Sequence, residues 1–296
     1  MKKHNASGVL NIIFIASALI CGCRSAPKIQ TADVNPLDLL DNSGSFYICM
    51  PSQTDPELVA RILQNSTGVS EKDARTAASC VDTVFAGLYR TRDTTEIQAA
   101  ADGKFPGAAV KALFTKKNGW KQDSFNLAAD DGTAHMYKIY NGTDVNMQVA
   151  FPSDKLICVN NDVKNMLSVY DKAAYYGKTE KSLSDDMYNW LSAGDGSIRF
   201  FADKPQSFLT ILTGANLNLK LVYVRGYMIN DPSDPTQYLM NMEFEFRDIR
   251  MVQAGEGVLS LAFGLTNSQV IKTSETHIQV SDIQIKKKQL YKLFSL

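Results

Sequence analysis

The chain carries no excess of either charge, because 31 Lys and Arg residues balance 31 Asp and Glu residues over 296 positions. A protein that binds nucleic acid needs a basic surface to displace the counterions around phosphates, so this balance argues against a nucleic-acid partner. It also argues against strong attraction to anionic lipid headgroups. The remaining composition, 45% hydrophobic and 21% charged, is typical of a globular protein.

Cysteine and histidine are scarce, and the familiar catalytic motifs are missing. Of five cysteines, Cys49, Cys80 and Cys158 remain once those of the N-terminal segment are set aside. Their odd number and wide spacing exclude a disulfide framework and a zinc site, while a single disulfide stays open. The sequence contains no G-x-S-x-G, H-E-x-x-H or G-x-x-x-x-G-K motif. We therefore expect no enzyme activity, no metal and no cofactor.

The N-terminus has the pattern of a lipoprotein signal peptide. Two lysines precede a short apolar core, VLNIIFIASALI, which is too short for a comfortable membrane span. The segment ends in ICGC, with an aliphatic residue at −3 and a small residue at −1 relative to Cys23. We expect residues 1–22 to be a signal peptide and Cys23 to receive the lipid. The alternative is an ordinary secretory signal followed by an unpaired cysteine.

The sequence after Cys23 predicts a tether and then one folded region. Residues 23–44 are rich in proline and polar turns, so we expect a lipidated tether there and a folded domain over 45–296. A helix is predicted over 56–66, and a second, longer helix from Ser70 through Tyr89 because its apolar residues recur every three or four positions. The last residues, after the strand predicted over 276–287, are expected to be a tail.

The elements indicate an α+β fold with largely antiparallel sheets on which amphipathic helices pack. Short strand candidates are separated by turn signals such as NGTD and PSD. The order of strands and helices over 45–178 is repeated over 179–296, which suggests two similar halves. His135 and His277 fall in strand candidates, where a structural role is the expected one.

Residues 251–271 contain one charge, Glu256, and are unlike the rest of this freely charged chain. Their polar residues argue against a bilayer span. On a helix, one face would carry the apolar residues Met251, Ala254, Val258, Leu261, Ala262 and Leu265. Three glycines lower the intrinsic helicity, by about 1 kcal/mol each relative to alanine. Such a helix could lie on a membrane or pack on a sheet, and both interpretations stay open.

Two other segments have a similar character. FPGAAVKALFTKK places Phe105, Ala109, Leu113 and Phe114 close together, with lysines able to reach outward. KPQSFLTILTG concentrates Phe208, Leu209, Ile211 and Leu212 in one short helix with charge only at its start. Core packing is again the alternative for each. If a lipid is bound internally, we expect a cavity lined by side chains such as Phe208, Leu212, Leu261 and Phe263.

The loose lipobox ICGC and the weakly charged segments at 105–117, 204–213 and 249–266 resemble those of the treponemal outer-membrane-associated lipoproteins. The resemblance implies a lipid-anchored protein at the outer membrane that faces the periplasm, with closed and open states. It also implies an apolar cavity for a lipid or fatty acid, contact with membrane lipids through amphipathic helices, and an effect on membrane permeability. The alternative function is a lipid-anchored scaffold that binds another envelope protein through an apolar helix surface.

The single carboxylate of the 251–271 stretch suggests a response to pH. A protonated Glu256 is cheaper to bring near acyl chains than an ionised one, so acid should favour insertion of this helix.

Overall fold

The computed structural model describes residues 32–293 except 68, 91–94, 108–112, 129–131, 180, 214–216, 218 and 265–267. Within these residues one antiparallel sheet holds twelve strands in the order β11-β12-β10-β9-β8-β1-β2-β3-β7-β6-β5-β4. The strands are β1 (Phe46–Pro51), β2 (Val81–Arg90), β3 (Thr95–Gly103), β4 (Trp120–Ala128), β5 (Ala134–Gly142), β6 (Gln148–Ser153), β7 (Leu156–Asn160), β8 (Ile198–Ala202), β9 (Leu221–Asn230), β10 (Gln237–Phe246), β11 (Gln269–Lys272) and β12 (His277–Lys286).

Seven α-helices occur in the described part of the chain and cover both faces of the sheet. They are α1 (Pro56–Thr67), α2 (Glu71–Ala78), α3 (Lys164–Tyr176), α4 (Asp185–Leu191), α5 (Pro205–Thr213), α6 (Ile249–Phe263) and α7 (Lys287–Leu293). The buried residues of α3 and α4 share one core cluster, whereas those of α1, α2, α5, α6 and α7 belong to two clusters on the opposite face. The predicted α+β class with a large antiparallel sheet is confirmed.

The two predicted halves are unequal. Strands β1–β7 form one side of the sheet and β8–β12 the other, and they meet where β1 pairs with β8. Ile48 lies opposite Phe200 in this pairing, and both side chains are buried. Both faces of β1 are covered, which explains why SFYICM is apolar throughout. The similarity of the halves is not confirmed.

The predicted long helix over 70–89 is wrong beyond Ala78. Helix α2 ends there, and β2 begins at Val81. Strand β2 pairs with β1 from Thr83 to Leu88 and with β3 from Val81 to Arg90, which satisfies most of its backbone groups. The helical spacing of Val81, Val84 and Phe85 is therefore overridden by long-range strand pairing, which β-branched and aromatic residues favour.

The folded part begins earlier than the predicted tether allows. Leu37, Leu39 and Leu40 are buried against the cluster that contains Tyr47 and Tyr137. Asn35 caps the turn Pro36–Leu39 by accepting a hydrogen bond from the Leu37 N–H at 3.0 Å. The compact unit runs from Val34 to the C-terminus, so the expected start at Ser45 is wrong. Residues 1–31, which include Cys23, lie outside the described part.

The C-terminal segment, predicted as a tail, forms helix α7 and is fixed to α1. Asp55 is buried and caps α1 by accepting from the Leu58 N–H at 3.0 Å. Its other oxygen accepts from the hydroxyls of Tyr238 and Tyr291, the latter at 3.0 Å. Because a buried carboxylate is costly without partners, these donors stabilise Asp55 and hold α7 in place.

Helix α6 approaches the sheet closely at one glycine. A methyl group at Gly255 would lie 2.3 Å from two ring atoms of Phe246, whereas one at Gly257 would meet no atom within 4 Å. We predict that Gly255→Ala lowers the free energy of unfolding by about 1–3 kcal/mol through overpacking. Gly257→Ala should instead raise it, by up to about 1 kcal/mol, through helix propensity.

Urea unfolding followed by circular dichroism measures both changes. The two substitutions add the same methyl group to the same helix, so each controls for the other. Equal effects of the same sign would contradict the packing of α6 described above.

Candidate functional site

An apolar cavity lies between the sheet and the helices α1 and α2. The space inside it that a water-sized sphere can occupy is about 80 Å³. Every lining side chain except that of Thr76 is apolar. The lining residues are Leu63, Val69, Thr76, Ala77, Cys80, Val81, Phe105, Pro106, Leu113, Phe114, Phe151 and Ile157.

Aromatic rings form much of one wall of the cavity. Phe114 lies edge-to-face against Trp120, with ring centroids 4.9 Å apart, and tilted against Tyr140 at 5.1 Å. Phe151 contacts Phe105 at 5.7 Å and Phe114 at 5.5 Å. Such pairs add stability beyond the apolar area that they bury. The wall is therefore built from a connected ring cluster that offers no hydrogen-bonding group to a ligand.

The segment predicted from its sequence for lipid contact, 105–117, supplies part of this cavity. Phe105 is buried, while Leu113 and Phe114 are half-buried, and all three line it. Ala109 lies outside the described residues. The contribution of α1, α2 and Cys80 was missed, because their apolar residues have the spacing of any core-facing helix.

The second predicted segment, in α5, packs into the core. Phe208 stacks on Phe46 with a centroid distance of 5.1 Å and lies tilted against Phe200 at 5.0 Å. Leu209 is fully buried. The side chains of Ile211 and Leu212 lie outside the description. Phe263 belongs to the core cluster and Phe208 packs against it, while the cavity expected at Phe208, Leu212, Leu261 and Phe263 stays a prediction.

Helix α6 buries only part of its apolar surface against the sheet. Val252, Gly255, Leu259 and Phe263 are buried. The predicted apolar face lies beside them: Val258 and Ala262 are half-buried, whereas Met251 is 40% and Leu261 82% exposed. Leu265 lies outside the described residues.

Part of the apolar surface of α6 is exposed because the apolar arc of this helix is wide. At 3.6 residues per turn, its apolar positions and Gly255 span roughly 200° of the circumference. The sheet covers only the part near Leu259 and leaves the rest in solvent. We call the uncovered side, formed by Met251, Ala254, Val258 and Leu261, the outer strip. Gln253 and Ser260 are exposed farther round the helix, and Glu256 is half-buried without an ion-pair partner among the described residues.

No helix in the described part of the chain is both long enough and apolar enough to cross a bilayer. Separately, the outer strip and the small number of charges on α6 are features of helices that lie in the plane of a membrane interface.

Comparison with known proteins places the chain in a family. Residues 31–291 match the family described as "Outer membrane-associated lipoprotein TP0453". The chain belongs to this family. Its members are outer membrane-associated lipoproteins, which agrees with the resemblance of the lipobox and the weakly charged segments. No curated protein sequence matches the chain.

Solved structures of TP0453 share the fold. Crystal form I aligns with a TM-score of 0.69 at 17% identity, and covers 89% of this chain and 98% of that one. Crystal forms III and IV align over the same shares, with TM-scores of 0.66 and 0.63 at 16% identity. At this identity the similarity shows the fold alone. The cavity and the outer strip are described from this chain's own residues.

The three described cysteines are free and differ in accessibility. Cys49 and Cys158 are buried, and burial raises the pKa of both thiols, that of Cys49 to about 12. Cys80 is half-buried and lines the cavity. Since the thiolate is the reactive form, we predict that a thiol reagent at pH 8 modifies Cys80 alone in the folded chain that starts at Arg24.

Intact mass should show a single adduct, and peptide mapping should place it at Cys80. All three thiols should react in denaturant, which serves as the control. Adducts at Cys49 or Cys158 without denaturant would contradict the burial described here.

Proposed function

We propose that the protein is anchored to the outer membrane through a lipid at Cys23, faces the periplasm, and contacts the bilayer through α6. The observation that carries this proposal is the exposure of Leu261 and Met251 on a helix whose charged residues are Arg250 and Glu256 alone. In the same proposal the apolar cavity holds the acyl chain of a lipid or fatty acid.

The proposal gives the protein two attachments to the membrane, the lipid at Cys23 and the outer strip of α6. A single acyl chain binds a bilayer only reversibly, and a second signal makes attachment stable. Fully burying one Leu or Met side chain contributes about 1.5–3 kcal/mol. The outer strip offers two such side chains, with Val258 and Ala254 beside them. Its contribution is therefore comparable with that of a weak second anchor.

Insertion beyond surface contact requires α6 to leave the sheet. Val252, Leu259 and Phe263 would then exchange one apolar environment for another, so the cost is that of the exchange and not of full exposure. The bilayer shifts this equilibrium only by its differential affinity for the two states. The outer strip supplies that affinity, because it already faces outward. An inserted helix of this kind would alter membrane permeability.

The cavity supports the lipid part of the proposal. Its lining is apolar apart from Thr76 and provides many contacts for a hydrocarbon chain. Apolar pockets favour apolar ligands or the apolar part of an amphiphile.

A second candidate function is a scaffold that binds another envelope protein through α6. Ile249, at the start of α6, and Ile271, on the edge strand β11, are also about half exposed. Strand β11 is four residues long and leaves one backbone edge unpaired in the sheet. A partner strand could pair there while its side chains cover the outer strip.

Flotation with neutral liposomes separates these functions, using the chain from Arg24 without the lipid. Every described core residue lies beyond Val34, so this chain retains its core. We expect it to float at pH 7, and Leu261→Asp to reduce the bound fraction at least about tenfold, because the contribution of one Leu exceeds 1.4 kcal/mol.

Ser260→Asp is the matched control, since Ser260 is exposed on the same helix but outside the outer strip. It should leave flotation within about twofold of the unsubstituted chain. Equal losses of flotation in both variants would show that the added charge, and not the loss of the Leu261 side chain, weakens membrane binding. No flotation of the unsubstituted chain would favour the protein partner.

We also predict stronger flotation at pH 5 than at pH 7, and loss of this difference in Glu256→Gln. The physical reason is the cost of bringing an ionised carboxylate near acyl chains. Glu275→Gln, at an exposed loop position, is the control and should keep the pH dependence. An unchanged pH dependence in Glu256→Gln would remove Glu256 as the pH-sensing group.

A further inference from the structure

Strands β5 and β6 are paired over only part of their length and then diverge. Strand β5 pairs with β4 along its whole length, from Ala134 to Gly142. It pairs with β6 only from Ile139 to Asn141. The first part of β5, residues 134–138, therefore diverges from β6, which itself continues to Ser153. A cleft opens between the two strands.

Pro152 lies where the strands separate. Proline has no N–H to donate to a strand ladder, and the pairing of β6 with β7 also shifts its register between Ala150 and Ser153. The cleft has a volume of about 1130 Å³, including open solvent, and Pro152 and Ser153 form its β6 side. The opening follows from the local sequence and is part of the fold.

The cleft shares a wall with the apolar cavity. Phe105 and Phe151 line both, and their rings meet edge-to-face with centroids 5.7 Å apart. The two spaces are therefore adjacent, with these rings in the wall of each.

A histidine with one uncommitted nitrogen lines the cleft. His135 Nδ1 lies 2.7 Å from Asp171 Oδ1, and the Tyr137 hydroxyl donates to the same oxygen at 2.5 Å. Asp171 is 2% exposed and belongs to α3. Because the carboxylate accepts, Nδ1 carries the hydrogen of the neutral ring. The Nε2 atom has no hydrogen-bond partner within the described part of the chain.

The ring of His135 is also held in position. It stacks on Tyr175 with a centroid distance of 3.9 Å. The charged residues of the cleft are Lys138 and Asp154, both exposed. Among the side chains that line the cleft, His135 thus combines a fixed orientation with a free nitrogen, as expected of a group that binds a ligand.

We propose that the cleft binds the acidic head group of a single-chain amphiphile whose acyl chain occupies the apolar cavity. The His135 Nε2 atom shares a proton with an oxygen of that head group, and Asp171 stabilises the charge that results on the imidazole. The ligand class is a long-chain acid such as a fatty acid. This inference rests on the proposed binding of an acyl chain in the cavity.

Calorimetric titration tests the proposal with two probes, dodecanoic acid and methyl dodecanoate, on the chain from Arg24. The acid should bind at least about tenfold more tightly than the ester, since a hydrogen bond that involves a charged group is worth this much. The His135→Gln substitution should remove the difference. The His277→Gln substitution, in the distant β12, should preserve it.

Protection of Cys80 from a thiol reagent reports whether either probe occupies the cavity. Equal binding of acid and ester, unchanged by His135→Gln, would overturn the head-group site and leave the cavity as a lipid site. No binding and no protection by either probe would overturn both. If His135→Gln exposes Cys49 or Cys158, Asp171→Asn replaces it and should weaken binding of the acid but not of the ester.

Discussion

The contact between Gly255 and the ring of Phe246 sets the rotation of α6 about its own axis. Because a side chain at position 255 would collide with that ring, only this side of the helix can lie against the sheet. Val252, Leu259 and Phe263 then become core residues, and Leu261 must face outward. The outer strip is thus a consequence of a close packing contact, and the proposed contact with the bilayer depends on it.

The width of the sheet explains why apolar surface is left over elsewhere. Twelve strands present two broad faces, and the helices α1 and α2 cover the first half of one face without filling the space beneath them. The loss of pairing between β5 and β6 adds a second space beside the first. A cavity, a cleft and a partly covered helix therefore arise from one feature, a sheet wider than the helices of the described residues cover. In the proposed function, the cavity, the cleft and the helix each contact lipid.

Local patterns in the sequence predict many of these elements, and long-range pairing accounts for much of what they miss. The caps and spacing around Asp55 and Pro56 identify α1 correctly. Strand β2 was predicted as helix, because its partners β1 and β3 are remote from the local window. Strand β4 was missed since Lys121 to Ser124 are polar, as an exposed edge strand requires. For α6 the helix and its apolar residues were predicted, but not which of them face the sheet, because periodicity cannot choose a side within so wide an apolar arc.

The candidate sites show the same difference between features that local sequence predicts and features that need long-range contacts. Phe105, Leu113 and Phe114 were predicted for lipid contact and do line the cavity. The pair of His135 and Asp171 was beyond prediction, because a strand and a helix bring together two residues 36 positions apart. Their chemistry exists only in the folded chain.

The central claim is that the outer strip of α6 meets the bilayer. An environment-sensitive fluorophore at Leu261→Cys, in a Cys80→Ser background, measures this directly. Upon addition of neutral liposomes, the account predicts a blue shift and protection from an aqueous quencher. The same fluorophore at Ser260→Cys, which is exposed on α6 outside the outer strip, should change much less. A fluorophore at 261 that stays fully quenchable while the protein floats would contradict the claim.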